Sequence, residues 1–252
     1  MCVAAIAWDV HPDYMLIAIG NRDEFHDRPS APLTRWDDGS GIVAGRDLQA
    51  GGTWMGVSDS GRFALLTNFR DPENFEPGRP SRGQLVQQVL AGLEPQQLEA
   101  MNPFNLFYAD GAAAWLLSNA GGLHRKPIKP GIQGLSNGLL EKPWPKTRQL
   151  CCALEQWVQE RTGSAATLFA ALREERPAPT EPMPHDGPQP AYAPVFIRDP
   201  EYGTRCSTVV LIGRNGVGRI VERSFDPDGK LTGEKGLSFA WPVATAGTGP
   251  RA

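Results

Sequence analysis

The chain has 252 residues, of which 40% are hydrophobic and 21% are charged, and its formal net charge is -3. This composition is ordinary for a globular domain with a sizeable core, and the lack of a basic excess disfavours binding to duplex nucleic acid or to a membrane surface. No stretch approaches the roughly 18 uninterrupted apolar residues of a membrane-spanning helix, and no basic segment precedes the first apolar run as in a signal peptide.

Short apolar runs bounded by turn residues predict a series of strands. They cover residues 3–8, 15–20, 41–46, 53–58, 62–67, 104–108, 112–117, 123–128, 131–138, 205–212, 219–225 and 230–239. The first two runs are strongly apolar throughout, which predicts a hairpin that is buried on both faces. Pro29 and Pro32 predict a loop between the second and third strands.

Helical periodicity predicts helices mainly in the middle of the chain. Ser81 and Gln84 form a capping-box signature for the first helix, whose buried stripe is expected to extend to Leu93. Further helices are expected at residues 95–101, 146–161 and 164–172. Gly163 is expected to end the third of these four helices, and Ser164 is expected to cap the last.

The order of these elements predicts the fold class. Strands that arrive mainly as hairpins, with helices grouped between them, favour an α+β layered sandwich with antiparallel sheets. Residues 177–194 are rich in proline and are expected to form an extended loop, with a ligand for a partner module as the alternative. We expect residues 1–242 to form one domain and residues 243–252 to form a flexible tail.

The cysteines and histidines do not suggest a metal site. Cys2, Cys151, Cys152 and Cys206 form no C-x-x-C pair, and none of His11, His26, His124 and His185 has a metal-ligand spacing. Cys151 and Cys152 are expected to pack on a helix, and all four histidines are expected at the surface. This cysteine usage favours a reducing, cytoplasmic compartment.

Cys2 is the candidate nucleophile. Removal of Met1 would leave a thiol and a free α-amine on one residue, so that the amine could accept the thiol proton. The ordinary pKa values of the two groups, about 7.7–8.0 for the amine and about 8.5 for the thiol, make this transfer nearly thermoneutral.

The other candidate residues lie at or near the ends of predicted apolar strands. A cysteine hydrolase needs an activated thiolate, donors for the oxyanion and groups that position the base. Arg22, Asp23, Asn68, Asn137 and Arg205 have side chains suited to these tasks. Alternation along the second strand places Asp23 on one face, with Asn21, and Arg22 on the other, with Glu24.

Several motifs carry a family resemblance. These are Met1-Cys2, Gly20-Asn21-Arg22-Asp23-Glu24-Phe25, Gly51-Gly52-Thr53-Trp54, Leu66-Thr67-Asn68-Phe69-Arg70, Leu135-Ser136-Asn137, Pro143-Trp144-Pro145-Lys146 and Thr204-Arg205-Cys206-Ser207-Thr208-Val209. Together they resemble the NRDE family, which is also called the transport and Golgi organisation protein 2 family.

The resemblance implies an N-terminal-nucleophile hydrolase fold, an αββα sandwich with the nucleophile on its first strand. A more distant similarity to bile-salt hydrolases and penicillin V acylases implies that Cys2 attacks the C–N bond of an amide in a small hydrophobic or acyl substrate, without a cofactor. By that similarity Arg22 or Asp23 would bind the thiolate and the amine, Asn68 and Asn137 would donate to the oxyanion, and Arg205 would lie near the thiol.

Two questions stay open at this point. The acylase branch separates its arginine and aspartate by two residues, whereas Arg22 and Asp23 adjoin, so the sequence leaves open which of Asn21, Arg22 and Asp23 faces Cys2. The NRDE family is also linked to haem trafficking, to acyl-CoA and lipid metabolism and to Golgi organisation. The alternative function is therefore a non-catalytic carrier of haem or acyl-CoA, whose acid group would pair with Arg22, Arg70 or Arg205.

Overall fold

The computed structural model describes residues 2–161, 164–178 and 187–242. Its strands are β1 (Cys2–Trp8), β2 (Tyr14–Phe25), β3 (Ser30–Arg35), β4 (Ile42–Asp47), β5 (Met55–Ser58), β6 (Arg62–Asn68), β7 (Phe104–Ala109), β8 (Ala114–Ser118), β9 (His124–Pro127), β10 (Gly131–Leu135), β11 (Tyr202–Gly213), β12 (Val217–Phe225) and β13 (Leu231–Ala240). Its helices are α1 (Gly83–Leu90), α2 (Pro145–Glu160) and α3 (Ala165–Leu172), with 3-10 turns at Leu98–Ala100 and Pro190–Tyr192.

The strands form two sheets with antiparallel pairing. The first sheet has the order β10-β1-β2-β11-β12-β13, and the second has the order β3-β4-β5-β6-β7-β8-β9. One hydrophobic cluster fills the space between the sheets, a second joins the first sheet to α2 and α3, and a third joins the second sheet to α1. The fold is therefore a four-layer αββα sandwich, as the sequence predicts.

Strand β1 contributes to two cores at once. Cys2, Ala4 and Ile6 belong to the cluster between the sheets, whereas Val3 and Ala5 belong to the cluster beneath α2. Every residue of β1 is buried. This burial on both faces explains why the strand is apolar throughout and lacks the alternation of a half-exposed strand.

The register of β2 fixes the sides on which the candidate side chains lie. Cys2 pairs with Arg22 on β2, and Arg22 pairs on its other side with Cys206 on β11. Residues directly opposite each other in neighbouring strands project from the same face. Cys2, Arg22 and Cys206 therefore face the second sheet, and Asn21 and Asp23 face the helices.

The predicted loop is confirmed as far as Pro29, but its second part is wrong, because Ala31 and Pro32 lie in strand β3. Proline lacks the N–H that a ladder requires, so it is confined to edge strands and bulges. Strand β3 lies at the edge of its sheet, and its register against β4 shifts between Ala31 and Thr34. The proline at position 32 falls within this irregular stretch.

The ends of the helices differ from the predictions. Leu93 is 62% exposed, because α1 ends at Leu90 and the chain turns at Gly92 with φ +82. The capping box is absent, and no side chain caps this helix. The helix predicted at residues 95–101 is a single 3-10 turn, and Ser164 stands at the N-cap of α3 without a side-chain hydrogen bond.

One histidine and one cysteine also depart from the predictions. His11 is 3% exposed rather than at the surface, because its Nδ1 accepts the backbone N–H of Asp13 (3.1 Å) and its ring packs 5.6 Å from that of Trp157. Cys151 packs against the core of α2 as expected, whereas Cys152 is exposed.

Several predictions concern residues outside the described ranges. They are the removal of Met1, the helix stop at Gly163, the middle of the proline-rich segment with His185, and the tail at residues 243–252. Within the described ranges, no helix combines the length and the apolar character needed to cross a membrane.

The packing of α2 on the first sheet gives a stability prediction. Leu154 is 0% exposed in the core beneath α2, so Leu154→Ala is expected to lower the free energy of unfolding by about 2–5 kcal/mol. The neighbouring exposed residue supplies the control, since Glu155→Ala should change it by less than about 0.5 kcal/mol. Urea unfolding measures both variants, and equal losses would contradict the layered packing.

Candidate active site

A cavity of about 1090 Å³ lies beside Cys2, between the ends of the two sheets. Its lining combines charged side chains, including Arg22, Arg82 and Arg205, with the apolar rings of Trp54 and Phe75. Apolar walls with a few converging polar groups are typical of ligand sites. The cavity is therefore the candidate functional site.

Cys2 lies at the start of β1 and is 8% exposed at the cavity wall. Its backbone nitrogen donates a hydrogen bond to Asn137 Oδ1 at 3.0 Å. Burial raises the pKa of the Cys2 thiol, and the charge of Asp23 adds to this effect. The charge of the chain's amino terminus, Arg22 and a hydrogen bond involving the Asp23 backbone offset the rise only in part. The resting thiol is consequently protonated at neutral pH, and a nucleophilic role would require a base.

Arg22 is the member of the Asn21, Arg22 and Asp23 triplet that shares a face with Cys2. Its Nη2 lies 3.3 Å from Asp47 Oδ2, which also accepts a hydrogen bond from Arg28 Nε at 2.7 Å. Its Nη1 is buried and has no hydrogen-bond partner among the described residues. The Nη1 group of Arg22 is thus an available N–H donor between Cys2 and Cys206, the two residues that pair with Arg22 on the neighbouring strands.

Asp23 and Asn21 lie on the opposite face of the first sheet. Asp23 is 1% exposed, its Oδ1 accepts a hydrogen bond from Thr204 Oγ1 (2.7 Å), and its Oδ2 lies 3.8 Å from Lys146 Nζ. Asn21 Nδ2 donates to the backbone carbonyls of Leu172 and Val195, so it ties β2 to the layer of α3. Asn21 therefore has a structural role.

The two asparagines lie together at the site, in different orientations. Asn137 is 2% exposed and uses both ends of its amide, because Oδ1 accepts from Cys2 and Nδ2 donates to the backbone carbonyl of Asn68 at 2.5 Å. Asn68 ends β6 and lines the cavity. An amide nitrogen carries two N–H groups, so one donor of Asn137 is left after this contact. Their role as oxyanion donors stays a prediction.

Arg205 lines the cavity and binds backbone rather than an acid. It sits in the irregular register between Thr204 and Cys206. Its Nη1 donates to the carbonyls of Phe25 (2.9 Å), His26 (3.0 Å) and Arg28 (3.2 Å). This contact fixes the segment after β2 that forms one side of the cavity. Arg70, by contrast, does not line the cavity and donates instead to the carbonyl of Gly187 (2.5 Å).

Four residues at or behind the cavity wall were not singled out as candidates from the sequence. Burial lowers the pKa of Arg82 to about 10, although the charge of Cys2 opposes the shift. Cys206 and Glu222 form a second buried pair, and burial raises the pKa of both groups. Lys146 stands in the Pro143-Trp144-Pro145-Lys146 motif, which was the one available signal for it.

Comparisons with known proteins decide the family. The profile of the Transport and Golgi organisation 2 family matches residues 1–227. The chain belongs to this family. The Transport and Golgi organization protein 2 homologs of Bos taurus and Homo sapiens are 33% and 34% identical over 260 residues, covering 89% of this chain and 93% of each relative. An uncharacterized Saccharomyces cerevisiae protein is 38% identical over 93 residues, which cover 34% of this chain and 29% of the yeast protein.

Solved structures show the fold of this family member. Penicillin V acylase from Agrobacterium tumefaciens superposes with a TM-score of 0.53 at 13% identity, over 88% of this chain and 83% of the acylase. A mutant of conjugated bile acid hydrolase from Clostridium perfringens gives 0.51 at 7% identity, over 96% and 98%. The sandwich is therefore of the N-terminal-nucleophile hydrolase type, as the resemblance implied.

The position of Arg22 gives a prediction about Cys2 reactivity. Because Arg22 lowers the pKa of the Cys2 thiol, Arg22→Gln should raise it, and a rise of about one unit would lower the thiolate fraction about tenfold. Alkylation of the Cys2 peptide by iodoacetamide, followed by mass spectrometry from about pH 6 to about pH 10, measures the shift.

Arg79→Gln is the matched control, because Arg79 lines the same cavity but pairs with Glu76. Its alkylation curve should overlay that of the parent protein. Identical curves for Arg22→Gln and the parent would show that Arg22 does not act on the thiol.

Proposed function

We propose that this protein is an N-terminal-nucleophile hydrolase in which Cys2 cleaves an amide bond of a small hydrophobic or acyl substrate. The observation that supports this most directly is the placement of Cys2. Its side chain lies in the wall of a large cavity, its nitrogen lies 3.0 Å from Asn137 Oδ1, and Arg22 pairs with it across the strand.

The base in this proposal is the α-amine of Cys2 itself, exposed when Met1 is removed. A buried thiol with a raised pKa needs a proton acceptor within reach, and the amine of the same residue meets that requirement. Asn137 Oδ1 would accept a hydrogen bond from this amine, because it already accepts one from the same nitrogen. The amine would thus be oriented before substrate binds.

The reaction then proceeds in two halves. The thiol proton moves to the amine, the thiolate sulfur bonds to the acyl carbon, and the C–N bond breaks as the leaving amine takes the proton from the ammonium. A water molecule then gives a proton to the α-amine while its oxygen bonds to the acyl carbon, the C–S bond of the thioester breaks, and the ammonium returns the proton to the sulfur. The free N–H groups of Asn137 and Arg22, and the amide of Asn68, supply donors for the oxyanion.

Two further facts support amide cleavage of an acyl compound. The solved structures that share this fold are named an acylase and a bile acid hydrolase. The cavity itself combines apolar rings, such as Trp54 and Phe75, with arginines. Such a wall suits a substrate that has an apolar acyl part and a polar or anionic part.

Two cavity cysteines provide a matched test. Cys2→Ser is expected to lower kcat/KM on a panel of acyl amides by at least about a thousandfold, as for loss of a nucleophile. Cys206→Ser should retain the parent activity, because its thiol is held protonated beside Glu222. Intact mass should also show that Met1 has been removed. Unchanged turnover in Cys2→Ser would rule out the proposal.

A carrier function in the same cavity is the second candidate, favoured by the cavity volume of about 1090 Å³. That volume is at the upper end of ligand sites, and Arg82, for which no acidic partner was found among the described residues, could bind an acid group. None of the described histidines lines the cavity, so Cys2 is the residue that would hold the haem iron.

The carrier function predicts saturable binding without turnover. Haem titration is expected to develop an absorption band that is weakened in Arg82→Gln, and acyl-CoA binding would be followed by calorimetry. Arg79→Gln is again the control. A ligand with a dissociation constant of about 1 μM gains about 8 kcal/mol of binding free energy. Absence of saturable binding at about micromolar concentration would exclude the carrier.

A further inference from the structure

Lys146 is a buried lysine on the helix side of the first sheet, opposite the face that carries the Cys2 side chain. It lies in the first turn of α2, it is 1% exposed, and its Nζ lies 3.8 Å from Asp23 Oδ2. Its Nζ also donates a hydrogen bond to the carbonyl of Tyr192 at 3.2 Å. Asp23 is equally buried, at 1% exposure, and borders the cavity that Cys2 also lines. A buried lysine and aspartate therefore lie on the helix side of the strands that carry Cys2 and Arg22. Burial lowers the pKa of Lys146, and attraction to Asp23 opposes that shift.

Stability is a poor explanation for this pair. Removing two charges from water costs several kcal/mol per ion, and replacing a buried ion pair by apolar residues is often neutral or stabilising. The position of Lys146 is also unfavourable locally, because a cation in the first turn of a helix opposes the helix dipole. Residues that break local rules in this way concentrate at functional sites.

The contacts of Asp23 indicate which function the pair serves. Thr204 Oγ1 donates to Oδ1 at 2.7 Å, while Lys146 approaches Oδ2. Burial raises the pKa of the Asp23 carboxyl, and attraction to Lys146 and the Thr204 hydrogen bond work against that rise. Loss of Lys146 would remove the strongest of the attractions that oppose this rise, so the carboxyl would be protonated more readily.

We propose that Lys146 is a positioning residue, which holds Asp23 as a carboxylate so that Asp23 can stabilise the Cys2 ammonium formed when the α-amine takes the thiol proton. This inference rests on the proposed function, because it requires a free α-amine at Cys2. Lys146 itself does not line the cavity, so it would act only through Asp23. Only a proton moves in this step, from sulfur to nitrogen, and no electron transfer is involved.

Few other charges act on this arrangement. Besides each other, Lys146 is influenced by Cys2 on β1, and Asp23 is influenced by the charge of the chain's amino terminus and by Arg22 on β2. From β11, Thr204 contributes a neutral hydroxyl. A change in the titration of the Cys2 amine after substitution of Lys146 would therefore report on Asp23.

The titration of the α-amine provides the test. In protein whose Cys2 thiol is protected as a methyl disulfide, trace acetylation with acetic anhydride is measured on the N-terminal peptide across a range of pH. Lys146→Met is expected to lower the pKa of the amine by about one unit, which is a tenfold change in the protonation equilibrium, because the ammonium loses its anionic partner. Its kcat should fall about tenfold, with KM nearly unchanged.

Two further variants keep the test decisive. Lys146→Arg should restore a titration close to that of the parent, since the charge returns. If Lys146→Met fails to fold, the double variant Asp23→Asn with Lys146→Met leaves no buried charge, and it should show the same lowered amine pKa. A pair that only stabilises the fold would leave the amine of this double variant titrating as in the parent.

The possible results separate this inference from the proposed function. An amine pKa that is unchanged or higher in Lys146→Met overturns the positioning role and leaves Cys2 as a candidate nucleophile. If the parent protein shows no acetylation at Cys2 because no free amine is present, the proposed function fails and this inference fails with it.

Discussion

The pairing of Cys2 with Arg22 is the constraint on which the site depends. In a strand the side chains alternate, so a slip of one residue between β1 and β2 would move every side chain to the other face. The observed register places Cys2 toward the second sheet and Asp23 toward the helices. Both faces of β1 are fully buried, so a slip would have to repack two cores at once. Packing remote from the cavity thereby sets the surroundings of the thiol.

This register gives Cys2 two different electrostatic environments. On the cavity side, Arg22 lies next to the thiol and shares Asp47 with Arg28, so its charge is partly balanced by a partly exposed network. On the helix side, Asp23 and Lys146 are both nearly inaccessible to water. Coulomb interactions weaken in proportion to the effective dielectric constant. The field of each charge in this less hydrated pair is therefore weakened less than that of the cavity charges.

Much of the fold could be predicted from sequence, because it depends on local patterns. The apolar first hairpin, the later strands and the helix that became α2 follow from runs and periodicity, and the alternation through Arg22 and Asp23 is correct. Strand β3 was missed because Pro32 normally interrupts a strand, and only its edge position makes the residue acceptable. The prediction that Leu93 is buried was wrong, because hydrophobic periodicity cannot indicate where a helix ends.

The site could be predicted only in part, for a different reason. Cys2 and Asn137 are 135 residues apart, and nothing local indicates that the side chain of one binds the backbone of the other. The burial of Lys146 could not be predicted from local sequence either, because a lysine near the start of a helix normally lies in solvent. Its burial depends on Asp23, which is distant in sequence. Strand ends identified the candidate positions, but tertiary pairing determined what each of them contacts.

Two glycines of these motifs allow close packing at the cavity wall. A side chain at Gly52 would come within 2.7 Å of the backbone of Gly83, so this glycine allows the segment before β5 to lie against the start of α1. A side chain at Gly20 would lie 3.0 Å from the ring of Trp54, which lines the cavity. Since Gly20 directly precedes the polar stretch and Gly52 directly precedes Thr53 and Trp54, each motif joins a space-making glycine to a residue of the wall. A side chain at either glycine would therefore force a neighbour at or beside the cavity wall to shift, so these two glycines allow the wall to take the shape that is observed.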